Sequence, residues 1–129
     1  MGAEVTLCGP PNLMPRFIKD FGINITYKID ELIEWADAIN VLRIQRERMG
    51  HNLIPSIREY RYLFGITNER LNNHKKEIVI MHPGPMNRGV EIDSEVADSD
   101  QAIILNQVLN GVASRMAILF LLCGGKVKE

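Results

Sequence analysis

The stretch EIVIMHPGPMNRGVEID, Glu77 to Asp93, decides how this chain is read. Its apolar run, Ile78-Val79-Ile80-Met81, has the length of a buried strand and stops at His82. Pro83-Gly84-Pro85 and then Arg88-Gly89 follow. Neither proline has an N–H to donate, yet both carbonyls accept, and each ring fixes φ. The loop therefore has the character of a rigid rack of carbonyl oxygens, suited to a primary amide or carbamoyl NH₂. Gly84 lets a small ligand approach the backbone, and Gly84–Pro85 is a candidate cis bond of the kind tight functional turns use. The other reading is a stiff turn that only ends a strand, and Pro-Gly-Pro alone does not decide between the two. His82 by itself reads more readily as a hydrogen-bonded structural histidine than as a catalyst.

Working outward, strand-like and helical segments alternate. Glu4–Gly9 reads as a short buried strand closed by Gly9-Pro10-Pro11. Leu13–Gly22 reads as one short helix, with Pro15 in its first turn and Gly22 just past its end. Ile23–Ile29 alternates and is rich in β-branched residues, a strand. Asp30 is placed to cap Glu31–Ala36, a helix carrying Trp35, and Asp37–Ile44 is the next strand. A polar loop leads to Ser56, which with Glu59 has capping-box spacing before the helix 57–65. Thr67 caps a helix from Asn68, and Glu77–Pro83 is the fourth strand. Asp98 and Gln101 have N-cap and N3 spacing for the longest helix, which Gly124-Gly125 ends.

This alternation implies βαβ units: an α/β fold with a parallel Rossmann-like sheet, helices on both faces, and a long C-terminal helix. The sheet looks incomplete, since the chain starts almost inside its first strand. The last helix is apolar round much of its circumference, from Ile103, Ile104 and Leu105 to Leu119 and Phe120, so it wants contacts on more than one side. Both features point to a part of the fold, or a partner, beyond these residues.

The bulk numbers fit that picture. A chain of 129 residues is one domain's worth and can bury a real core. Its formal charge of -1 argues for neither a nucleic-acid nor a membrane partner. No unbroken apolar run reaches the roughly 18 residues of a spanning helix, and the opening MGAEVTLCGPP lacks the pattern of a signal peptide. Cys8 and Cys123 form no metal or redox motif and read as buried free thiols in a reducing cytoplasm.

Ligands of open parallel sheets bind beyond the carboxyl ends of strands. Two segments fall there: the Pro83–Pro85 loop and LRIQRER, Leu42 to Arg48. Arg43 stands at a strand's end, and Gln45 shares its direction if the chain stays extended. An arginine fork suits a carboxylate or phosphate; a solvated basic loop, partly neutralised by Glu47, is the equally weighted alternative. Neither a dinucleotide fingerprint nor a P-loop is present, and His51, His74 and His82 lack ligand spacing. In the acidic group Glu91, Asp93, Glu95, Asp98 and Asp100, the last two read as helix N-terminal residues and the others as solvated.

Taken together, VLRIQRERM, then IVIMHPGPMNRGVEIDSEVADS, then ILNQVLNGVASRMAILFLL strongly resemble bacterial aspartate carbamoyltransferase catalytic chains, over essentially the whole sequence. Relatives that use ornithine have His-Cys-Leu-Pro where this chain has His82-Pro83-Gly84-Pro85, and a Ser-Met-Gly loop not found here. The resemblance implies that residues 1–129 are the L-aspartate-binding domain, including the C-terminal helix that braces a separate carbamoyl-phosphate domain. That domain's Ser-Thr-Arg-Thr and His-Pro-x-Gln elements, and the aspartate domain's first strand with its following arginine, would lie upstream. The chain is then a fragment, or a piece that works beside another chain.

By the same resemblance, Arg43 grips an aspartate carboxylate with Gln45 beside it. Pro83, Gly84 and Pro85 hold the carbamoyl NH₂ through backbone carbonyls, with the second peptide bond cis. Arg48 forms ion pairs when the domains close. No residue here is assigned a catalytic role, and no metal or cofactor is implied. The implied reaction is carbamoyl transfer from carbamoyl phosphate to L-aspartate, a step of pyrimidine synthesis. The implied setting is a cytoplasmic homotrimer, with dihydroorotase or regulatory chains as further partners. A non-catalytic docking module derived from such an enzyme is the competing expectation.

Overall fold

The computed structural model describes residues 2–45, 54, 56–74 and 77–124. The strands are β1 (Thr6–Cys8), β2 (Asn24–Thr26), β3 (Ala38–Asn40) and β4 (Val79–Met81). The helices are α1 (Ile29–Trp35), α2 (Ile57–Phe64), α3 (Asn68–Asn72), α4 (Ser94–Ala97) and α5 (Ile104–Leu122). β1 pairs with β2 and β3 with β4, both in parallel, the second in the register Ala38 to Val79, Ile39 to Ile80 and Asn40 to Met81. Among the described residues the strands form these two separate ladders and not one continuous sheet. The expected class, parallel α/β with a long final helix, is what the chain adopts.

β4 is the centre of the architecture because both its edges are used. Beyond the β3 ladder, the Ile80 N–H donates to the Gln101 carbonyl at 2.8 Å, and the Ile103 N–H donates back to the Ile80 carbonyl at 2.9 Å. Residues 101–103 are thereby held along the strand, so the long helix cannot begin at Asp98 as its capping spacing predicts. α4 forms first, and α5 starts at Ile104. The Asp98 carboxylate is instead taken by Arg88, at 2.7 and 2.8 Å.

Ile33, Ile80 and Ile92 are fully enclosed, and Ile39, Ile66, Ile78, Val96 and Ile104 join them in one core. Ile80 touches this core from the strand that organises it. Ile80→Ala is therefore expected to lower stability by about 2–5 kcal/mol. Urea unfolding would measure this, and a loss under about 1 kcal/mol would refute the central role given to β4.

Local signals succeed where backbone chemistry alone sets the element. The Glu59 N–H donates to Ser56 Oγ at 3.0 Å and the Arg70 N–H to Thr67 Oγ1 at 3.2 Å, so both predicted caps form. They mislead where packing decides. The predicted helix over Leu13–Gly22 is two 3₁₀ turns, Pro11–Leu13 and Ile18–Phe21. Phe17 and Phe21 are 72% and 77% exposed, so no buried face supports a longer helix. Gly22 does end the second turn, at φ 70°. Asp30 lies inside the first turn of α1, which Lys28 precedes without a side-chain cap. Its carboxylate accepts from Arg70 Nε at 3.0 Å.

α5 is buried only at Ile104; Leu105 is 83% exposed, Leu109 69% and Met116 66%. By length and composition, with a mean hydropathy of 1.4, it is a helix that could cross a membrane, although Gln107, Asn110 and Arg115 interrupt its apolar run.

The two thiols part company. Both are free, but Cys123 is exposed, contrary to expectation, because it follows a helix whose described residues are mostly exposed. Cys8 packs against the core, and burial, opposed by the Arg70 charge, pushes its thiol up to about 11. At pH 8 only about a thousandth of such a thiol is thiolate, the reactive form. Iodoacetamide should therefore alkylate Cys123 well before Cys8, as followed by peptide mass. Equal rates would contradict the placement of β1.

Candidate functional site

Both segments singled out in the sequence leave the carboxyl ends of neighbouring parallel strands. Beyond β3 the chain stays alongside its partner: the Val41 N–H donates to the Met81 carbonyl at 2.8 Å. Val41 and Ile44 point into the protein and are 8% exposed each, whereas Arg43 and Gln45 are half-buried at its edge. Beyond β4, Pro83 and Pro85 are exposed and Gly84 is half-buried. The Gly84–Pro85 bond is cis. Gly84 has φ 62°, the left-handed region that favours glycine. Arg48, assigned to closure ion pairs, lies outside the described residues, as do Arg46 and Glu47.

A buried polar network fixes the second segment. His82 and Glu91 are 0% and 1% exposed. The His82 backbone N–H donates to Gln107 Oε1 of α5 at 2.9 Å, and the Gly84 N–H donates to His82 Nδ1 at 2.9 Å. A nitrogen that accepts carries no proton, so the ring proton sits on Nε2. Nε2 approaches Glu91 Oε1 at 3.4 Å but makes no hydrogen bond; among the described residues it is the buried side-chain polar atom left without one. The proximity is electrostatic only. Glu91 is held instead by Asn87, whose backbone N–H donates to Oε1 at 2.5 Å and whose Nδ2 donates to Oε2 at 3.2 Å.

The same Asn87 Nδ2 donates to the Ile44 carbonyl at 3.0 Å. Ile44 stands between Arg43 and Gln45, so this bond ties that segment to the chain two residues past the Pro83–Pro85 loop. Behind them, Ile66 and Ile92 form a parallel bridge, with the Ile66 N–H on the Glu91 carbonyl and the Asp93 N–H on the Ile66 carbonyl, both at 3.0 Å. Asp93 takes both terminal nitrogens of Arg61, the second at 3.0 Å, and this pairing raises the arginine's pKa. Burial, aided by the Glu91 charge, pushes the Tyr60 phenol up to about 12.

The acidic group is a solvated run only in part: Glu95 is exposed, as expected, but Glu91 and Asp93 are not free in water. Glu91 is enclosed, Asp93 is paired with Arg61, and Asp98 with Arg88, which lowers the Asp98 pKa. Sequence reasoning missed Asn87, Glu91 and Gln107. The turn-forming Asn87-Arg88-Gly89 could have signalled that residue 91 folds back beside residue 87; nothing local announces Gln107. Among the described residues no three His, Cys, Asp or Glu side chains gather as metal ligands. A surface cleft of about 450 Å³ lies between α2 and α3, lined by Arg58, Arg61 and Arg70 among others. Asp93 and Asp30 already engage two of these arginines, which weakens it as an anion site.

A parallel α/β unit with two loops leaving adjacent strand ends has the arrangement in which open-sheet proteins bind their ligands. Residues 1–122 match the family model described as the aspartate/ornithine carbamoyltransferase, Asp/Orn binding domain. The chain belongs to that family.

The aspartate carbamoyltransferase catalytic subunit of Gemmatimonas aurantiaca is 55% identical over 126 residues, 98% of this chain and 40% of its own length. That of Flavobacterium johnsoniae is 55% identical over 121 residues, 94% of this chain and 39% of its own. Among solved structures, aspartate transcarbamoylase from Trypanosoma cruzi in complex with carbamoyl phosphate superposes with a TM-score of 0.73 at 27% identity, covering 90% of this chain and 39% of that one. Ornithine carbamoyltransferase from Pyrococcus furiosus gives 0.76 at 22% identity, covering 98% and 44%, a likeness of fold. The chain spans about 40% of the length of the curated relatives it matches.

Proposed function

We propose that residues 1–129 form the L-aspartate-binding part of a carbamoyltransferase, which moves the carbamoyl group of carbamoyl phosphate to L-aspartate. The observation that supports this reading is the Asn87–Ile44 bond, which ties the backbone between Arg43 and Gln45 to the chain two residues past Pro85, beyond the paired strands β3 and β4. Arg43 pairs with an aspartate carboxylate, and Gln45 supplies an uncharged partner next to it. The carbonyls of the Pro83–Pro85 segment accept from the carbamoyl NH₂. The aspartate amine attacks the carbamoyl carbon, the bond to the phosphate oxygen breaks, and the amine sheds a proton, giving N-carbamoyl-L-aspartate and phosphate. Positioning of this kind converts an encounter of two reactants into one held geometry. Aspartate is favoured over ornithine because the relatives at 55% identity carry the aspartate name and Arg43 suits an acid.

In this reading the donors for the oxyanion and phosphate come from a carbamoyl-phosphate domain, and α5 packs against it. Arg48 closes the domains on each other. The assembly is a cytoplasmic homotrimer, with dihydroorotase or regulatory chains as further associates. The second reading, a docking module without catalysis, rests on the exposure of α5.

The test joins this chain to the remaining, N-terminal part of the Gemmatimonas aurantiaca relative and follows carbamoyl-aspartate by colour. Turnover with aspartate and none with ornithine supports the proposal. A folded chimera inactive with both supports the docking module.

A further inference from the structure

We propose that Asn87 is a positioning residue that couples the two substrate subsites; this rests on the function proposed above. One side-chain amide, two residues past Pro85, ties the stretch bearing Arg43 to the buried Glu91. Its Nδ2 reaches the Ile44 carbonyl at 3.0 Å, between Arg43 and Gln45, and Glu91 Oε2 at 3.2 Å. The amide group has two N–H donors, one for each acceptor, so both bonds form together. Glu91 is 1% exposed and accepts the Asn87 backbone N–H as well, which fixes the position from which the side chain reaches out.

On the other side, the His82 ring beside Glu91 holds the Gly84 N–H at 2.9 Å. The chain of contacts therefore runs Ile44, Asn87, Glu91, His82, Gly84, with close electrostatic approach rather than a hydrogen bond at the Glu91–His82 step. A ligand that orders the Pro83–Pro85 loop also orders the stretch bearing Arg43. Asn87 touches neither ligand in this scheme; it sets the distance between the groups that do.

The coupling is measurable with succinate, a dicarboxylate that lacks the reacting amine. In the chimera described above, succinate affinity is measured by calorimetry with and without carbamoyl phosphate. The parent is expected to bind succinate about ten-fold more tightly when carbamoyl phosphate is present. Asn87→Leu, which keeps the branched shape and number of side-chain heavy atoms and loses both donors, should bring that ratio close to one. It should lower kcat and raise the aspartate KM while the thermal midpoint stays near the parent's. Asn87→Asp, which keeps the shape but presents an acceptor to two acceptors, should do the same, so the result does not hang on one variant's folding. A parent ratio preserved in either folded variant overturns the coupling role, as does loss of stability with unchanged coupling. A parent chimera that neither turns over nor binds succinate overturns the proposed function and this inference with it, a result distinct from a working parent with uncoupled variants.

Discussion

Arg43→Ala in the chimeric enzyme is expected to lower kcat/KM for aspartate by about a hundred-fold, mainly through KM. A hydrogen bond to a charged group is worth roughly 1.5–3 kcal/mol, and a two-pronged fork makes two such contacts; each 1.4 kcal/mol is ten-fold. Arg43 is half-buried three residues past the end of β3, so water screens it less than a fully exposed arginine. Arg43→Lys keeps the charge and loses the planar fork, and should recover only a minor part of the activity. Because the Ile44 carbonyl that anchors this stretch belongs to the backbone, neither substitution removes the Asn87 bond. The measurement is a steady-state aspartate titration at saturating carbamoyl phosphate. An unchanged KM in Arg43→Ala would remove Arg43 from the aspartate subsite.

The chain on its own is expected to self-associate through α5. Leu105, Leu109, Val112, Met116 and Leu119 recur at alternating spacings of four and three residues, so they share one face. They are 83%, 69%, 49%, 66% and 62% exposed. A monomer rarely leaves such a continuous apolar stripe in water. Burying a side chain of this kind contributes about 1.5–3 kcal/mol, so Leu109→Glu with Met116→Lys should weaken association by at least about a hundred-fold. Sedimentation velocity across a concentration series reads this directly, with dye fluorescence reporting the exposed surface. A monodisperse wild-type monomer that binds no dye would overturn the prediction.

Much of the architecture was legible because it is written locally. Ser56 and Thr67 announce their helices through side-chain oxygens three residues from the N–H groups they accept, and Gly22 announces a left-handed end. The two candidate segments could be singled out too, because arginine and proline advertise their chemistry wherever the chain places them. What escaped were contacts made across the fold. Glu91 looks like one of several surface acids until the turn at Asn87–Val90 folds it under His82. Gln107 looks like a polar break in an apolar helix until α5 swings its first turn against β4. The start of α5 was misplaced for the same reason: Asp98 has the right spacing, but the pairing of Ile80 with Gln101 and Ile103 outweighs it.

The Gln107 contact has a mechanical side. α5 holds 19 residues and so extends about 28 Å, while the Gln107 side chain that accepts from the His82 backbone lies in its first turn. It is a lever with a short arm inside the protein and a long arm outside. A body seated against Met116 and Phe120 would press on the far arm, and the short arm would carry that load to the peptide from which Pro83 and Gly84 depart.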